Sequence, residues 1–336
     1  MTNNPQFQRP TFNFRGRKSP LALTIGILVI IGAVFTALSG FYADWLWFKS
    51  VNFTNTWSTI LLTKATLFVI TGLLTAGFVL LNVVLAYKRR PLYVPMSLEA
   101  DNLERYRGQI ENVRGRIVVI GSLALFYFAG TSGTTLWSTW LLFKNSTPFG
   151  VKDPQFNMDI SFFAFRLPFW QTLISWAIST IVLAILASAV VHYLYGGIRL
   201  QVREDRTTVA ARVQLSVLFG LVVLLKAVAY WFDRYALALK ESKLITGLTY
   251  TDVNAVLPAK AILAGIALVC ALLFFANIVR RSWVLPAAGT ALLVISSVLI
   301  AGLYPAAIQT FQVKPSESSK EAPFIQRNIE ATRSAY

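Results

Sequence analysis

Seven apolar stretches of about twenty residues or more, separated by loops in which Lys and Arg favour every second side, constrain this chain more than any other feature. A helix rises 1.5 Å per residue, so roughly 20 apolar residues cross the roughly 30 Å hydrocarbon core of a bilayer. The runs are 21–43, 57–87, 117–137, 168–195, 209–232, 258–279 and 283–304. Unpaired backbone groups are too costly in lipid, and these runs lack the period-two alternation of barrel strands, so each is read as a helix. The expected fold is all-α, a polytopic transmembrane bundle. With 55% hydrophobic and only 14% charged residues, its 336 residues carry too much apolar surface for one aqueous core.

The formal charge of +16 first suggests nucleic acid, but the placement of the charges points elsewhere. The amino-terminal tail, 1–20, carries Arg9, Arg15, Arg17 and Lys18. The loop after the second run carries Lys88, Arg89, Arg90, Arg105, Arg107, Arg114 and Arg116, and the loop after the fourth carries Arg199, Arg203, Arg206 and Arg212. The turn after the sixth has Arg280 and Arg281. Seven spans put all these segments on one side. The opposite loops hold fewer: Lys49, then Lys144, Lys152 and Arg166, then Arg234, Lys240 and Lys243. The positive-inside rule then places the amino terminus in the cytoplasm and the carboxyl terminus outside. The basic loops are expected to meet anionic lipid headgroups, and no nucleic-acid partner is expected.

The first apolar run is too long for the roughly 7–15-residue core of a signal peptide, so it reads as an uncleaved anchor. Cys270 is the only cysteine, so no intrachain disulfide can form. Tyr42, Trp45, Trp47, Phe48 and Phe53, and then Phe162, Phe163, Phe165, Phe169 and Trp170, read as interfacial aromatic belts. Segment 97–116 reads as a polar amphipathic helix. Ser97 suits its cap, Glu99 and Asp101 its first turn, and Leu103, Tyr106, Ile110 and Val113 share a face. The outer loop 145–166 holds Asp153, Asn157 and Asp159, but without EF-hand spacing, and a packed loop is the reading preferred over a cation site.

Ionisable groups inside spans carry the most weight, because a charge in lipid is expensive. Lys64 and Lys260 lie on helices entering from outside, where side chains tilt toward the outer interface and snorkel. Lys226 lies on an outgoing helix, about 9 Å below Phe232, and the same tilt aims it inward. Its candidate partners in an intramembrane ion pair are Asp44, Asp233 and Asp252. His192, the one histidine, reads as a hydrogen-bonded packing residue. There is no HExxH, GxSxG, Walker loop or GxGxxG after a strand. No catalytic residue, metal ligand or cofactor site is assigned.

Longer strings are more specific. YADWLWFKSV from Tyr42, LERYR from Leu103, NSTPFGVKDPQFNMDISFFAFRLPF from Asn145 and HYLYGGIRL from His192 resemble a bacterial group, uncharacterised protein family 0182. So do LLKAVAYWFDRY from Leu224, YTDVNAVLPAK from Tyr250, FFANIVRR from Phe274, YPAAIQTFQVKPSE from Tyr304 and EAPFIQRNIEATRSAY from Glu321. The resemblance implies a multi-pass plasma-membrane protein of the kind found in actinobacteria and cyanobacteria, with no catalytic residues to carry over. Such proteins pair a membrane segment with a long extracytoplasmic region, so residues 306–336 are expected to be an outer tail, the start of an amphipathic helix with Ile325 and Ile329 on one face. The chain is therefore expected to be a fragment or a truncated form.

Two functions fit. One is an anchor or assembly platform for an outer region or for envelope proteins. The alternative is a transporter or channel with a polar path near Lys226. No internal repeat supports the alternative, and Gly72, Gly77, Gly121 and Gly220 suit close helix packing.

Overall fold

The structure is a computed structural model and describes residues 20–91, 98–199, 206–242, 245–280 and 282–335. The basic tail 1–19, Ser97, Arg203, Lys243 and Arg281 lie outside the described residues. Among the described residues ten α-helices occur in chain order: α1 (Pro20–Ser50), α2 (Thr54–Lys88), α3 (Leu98–Thr134), α4 (Trp137–Lys144), α5 (Leu167–Leu194), α6 (Val209–Ala236), α7 (Leu257–Arg280), α8 (Val284–Ser296), α9 (Tyr304–Ala307) and α10 (Glu317–Ala335). Among the described residues there is no strand, and seven helical stretches are long and apolar enough to cross a membrane.

The chain divides into a first unit, 1–62, and a second, 63–336. The first holds α1 and the start of α2. Asn52, with φ 60°, closes the turn between them, as Asn tolerates the left-handed region. The Asn52 N–H donates to the Lys49 carbonyl at 3.2 Å and the Phe53 N–H to the Phe48 carbonyl at 2.9 Å, a Schellman closure. Phe41 then meets the Trp57 ring edge-on at 4.9 Å.

In the second unit α6 packs on α5 and α7, and α7 on α8. Ile181 and Ile185 of α5 bury against Leu215 and Leu218 of α6. A Cβ on Gly220 would lie 2.7 Å from Phe275, and one on Gly72 would lie 2.7 Å from the Phe126 carbonyl, so both glycines permit close crossings. A Cβ on Gly77 or Gly121 would meet nothing within 4 Å, so no close crossing depends on them among the described residues. Polar side chains pair inside the bundle. Gln214 donates to the Asn82 carbonyl at 2.9 Å and lies 3.1 Å from His192 Nε2, joining α6 to α2 and α5. Asn277 donates to Ser216 at 2.7 Å, joining α7 to α6.

The polar segment at 97–116 and the third apolar run form one helix, α3. The described part of the expected tail likewise continues the last apolar run, because helical backbone runs unbroken from Val284 to Ser334. Proline explains how that run and two other helices stay continuous. Four π-helical segments, Phe162–Arg166, Asp252–Val256, Ser297–Leu303 and Ile308–Val313, each end two residues before a proline: Pro168, Pro258, Pro305 and Pro315. In each case the residue before proline, Leu167, Leu257, Tyr304 or Lys314, donates its N–H to the carbonyl five residues back. Proline offers no N–H, and its ring crowds the carbonyl four residues back. Widening the ladder by one residue relieves that clash without breaking the helix.

Two ends of the second unit can be named from this. At the proline end, α5 and α7 begin and α6 finishes. At the arginine end, α2 and α5 finish beside Arg90, Arg107 and Arg114.

Candidate functional site

Within the second unit the structure does not bring Lys226 together with Asp233 or Asp252. Lys226 is exposed on α6, and its ammonium lies 5.3 Å from the centre of the Tyr230 ring. Tyr230 lies one turn further along the same helix, and an aromatic face attracts an ammonium held beside it. Asp233 instead pairs with Lys260 at 3.3 Å, joining α6 to α7, and buried Asp252 pairs with Lys240 at 2.8 Å. Asp44 belongs to the first unit. Lys64 lies 5.5 Å from the centre of the Trp137 ring.

The richest polar assembly lies at the proline end, where the long last helix meets the segment leading into α7. Asp252 accepts from the Thr249 N–H at 3.1 Å and the Thr249 hydroxyl at 2.8 Å. Glu321, only 6% exposed, spreads its carboxylate over the Tyr250 N–H at 3.0 and 3.2 Å. The Thr251 hydroxyl donates to Gln309 Oε1, and Asn328 donates to the Thr246 carbonyl. Lys320 lies 4.7 Å from the centre of the Tyr250 ring. Two of the π-helical segments meet here: one supplies Asp252 and the other Gln309. Beside them a cavity of about 300 Å³ is lined by Ser242, Thr249, Gln309, Glu317 and Glu321. Ile245 and Ile325 complete its lining, and Glu317 and Glu321 bring carboxylates to it, a chemistry that suits hydrogen-bond donors and positive charge. Among the described residues no three His, Cys, Asp or Glu side chains gather to hold a metal ion.

The loop 145–166 uses its acids internally. Asp159 accepts from the N–H groups of Phe149, Gly150 and Ser161 at 2.9–3.0 Å, and Asp153 from those of Gln155 and Phe156 at 2.9 and 2.7 Å. The Ser161 hydroxyl first, and then these backbone donors, hold the Asp159 carboxyl below the usual carboxylate range. Asn157 takes the left-handed conformation at φ 54°. Some aromatic residues around this loop pack on protein, since Phe163 is buried, Phe156 meets Tyr235 at 5.1 Å and Phe143 stacks on Phe169 at 4.0 Å, whereas Phe149 and Trp170 are exposed.

Sequence reasoning missed Glu321, Gln309 and Thr249. They lie outside apolar runs and match no motif. The signal available was the recurrence of proline close to them in the chain, at Pro258, Pro305 and Pro315.

The sequence model of a family described as uncharacterised protein family (UPF0182) matches residues 21–336. A UPF0182 protein of Streptomyces coelicolor is 48% identical over 326 residues, covering 95% of this chain and 32% of the relative. One from a Nocardioides species is 45% identical, covering 99% and 33% respectively. One from Thermobifida fusca is 47% identical, covering 95% and 32%. The chain thus spans about a third of the length of the curated relatives it matches. No solved structure matches.

Proposed function

The chain belongs to the uncharacterised protein family UPF0182, and from that premise we propose that it serves as a multi-pass plasma-membrane anchor and assembly platform. In this reading the arginine end faces the cytoplasm and the proline end faces outward, as the distribution of Lys and Arg favours. The load is the greater part of the length that the relatives possess outside the match, or envelope proteins seated on it. One observation supports this most: the last helix runs unbroken for 51 residues and is tied near its far end to the segment leading into α7. A rod held at one side of a bundle sets the position and angle of whatever it carries. A freely hinged tail would not.

A spin label on Ser334→Cys in liposome-reconstituted protein tests the reading, since Cys270 is buried and stays unlabelled. The label should be immobilised, and Glu321→Ala should set it free. Equal, high mobility in both proteins would remove the platform. Solute flux into the same liposomes that is lost in Lys226→Met would replace the platform with the transporter.

A further inference from the structure

We propose that Arg90, Arg107 and Arg114 form a binding site for a phosphate group at the arginine end, where α2, α3 and α5 meet. The centre of the site is an edge-to-face pair, Tyr87 at the end of α2 and Tyr195 just past α5, with ring centres 5.1 Å apart. All three guanidinium groups gather around these rings. Arg90 lies 4.0 Å from the centre of Tyr87 and 5.4 Å from that of Tyr195, Arg114 lies 4.1 Å from Tyr87, and Arg107 lies 5.9 Å from Tyr195. Among the described residues one carboxylate serves the group. Glu111 accepts from the Tyr87 hydroxyl at 2.9 Å, the Tyr195 hydroxyl at 3.0 Å and Arg114 at 2.6 Å.

Among the described residues, three positive charges and one negative leave an excess of two within a few ångströms. Like charges so close repel unless an anion sits among them. Glu111 is committed to Arg114 and the two hydroxyls, which leaves Arg90 and Arg107 as the open part of the site. Arg107 carries a second indication. Its Nε donates to the Leu194 carbonyl at 2.6 Å, which fixes the guanidinium at the end of α5, yet its Nη2 is buried and has no partner among the described residues. A buried donor on a positioned guanidinium is incomplete without an acceptor. The planar fork of Arg fits the oxygens of a phosphate, and the exposed Arg90 leaves the site open to one.

The site lies at the level where α2 and α5 end, the depth of phospholipid headgroups for helices that cross a bilayer. A lipid phosphodiester and free phosphate share the chemistry, and the experiment separates them. Protein in a neutral detergent is titrated with dioleoylphosphatidylglycerol, and separately with sodium phosphate, and retained ligand is counted by native mass spectrometry. Wild type should hold the lipid, and Arg90→Gln/Arg107→Gln should bind it at least about tenfold more weakly. Arg280→Gln, a change to another basic residue at a span end, should bind as wild type does. Lipid retained and phosphate ignored assigns the site to headgroups, whereas displacement of lipid by millimolar phosphate assigns it to the free ion. Equal binding by wild type and the double variant, or no binding of either probe, overturns the proposal. Should the double variant unfold, Arg107→Lys decides, because it keeps the charge and loses the fork: unchanged affinity also overturns it.

Discussion

Asp159 illustrates what one side chain can do for a loop of this kind. Its carboxyl titrates below the usual range because the Ser161 hydroxyl, and then the N–H groups of Phe149, Ser161 and Gly150, favour its charged form. A depressed folded value means that the group's contribution is complete above the unfolded value, about pH 3.9, and is lost as pH falls through the folded one. Limited proteolysis should therefore find the loop protected from neutral pH down to about pH 4. Asp159→Ala should be nicked within 149–160 across that range, and equal protection of the two proteins would refute the account. Asn277 is a second case, since its side chain donates to Ser216 and accepts from the Ser282 N–H at 2.8 Å. Asn277→Ala leaves both without that partner and should cost about 1–3 kcal/mol in detergent unfolding. Residues at this scale were only partly legible in the sequence. Lys226 was singled out by its depth, but the ring that holds it and the lysines that take Asp233 and Asp252 depend on how loops fold back.

At the scale of elements, the expectation of an all-α chain with seven helices long and apolar enough to cross a membrane holds among the described residues, because length and composition decide whether a helix suits a bilayer. Hydropathy did not reveal where one helix ends and another begins. Nothing between residues 98 and 134 breaks a helix, so the polar segment and the third apolar run are one element, whereas a change of polarity had suggested two. Proline ends most helices, yet Pro168, Pro258, Pro305 and Pro315 are each absorbed by a widened turn. Each widened turn resets the phase of the helix beyond it. Pro305→Ala, by letting Ser297–Leu303 return to α-helix, should rotate the downstream helix by about 100°, one residue's worth. A disulfide engineered between Thr246→Cys and Asn328→Cys should form readily with Pro305 present and fail in Pro305→Ala. Equal cross-linking in both backgrounds would sever the π-helical turn from the seating of Glu321 and Gln309.

For the whole molecule, the distribution of charge makes a prediction that burial cannot. Basic residues gather where α2 and α5 finish, and the positive-inside rule sends that end to the cytoplasm. In intact cells a membrane-impermeant maleimide should label Ser334→Cys and spare Gly108→Cys; labelling of Gly108→Cys alone would invert the topology.

The contact between Gln214 and Asn82 has a consequence for synthesis. These partners are 132 residues apart. The Asn82 Nδ2 is satisfied within α2 by the Phe78 carbonyl, but at about 5–20 residues per second its Oδ1 waits on the order of ten seconds for Gln214 Nε2, 3.4 Å away in the folded chain. An amide oxygen left facing lipid for that time is costly, so α2 should linger beside the insertion machinery instead of dispersing into the bilayer. A photo-crosslinker at Asn82 should capture the insertase in nascent chains stalled before residue 214 and release it in chains stalled well beyond 236. Early release would mean that another group shelters the amide first.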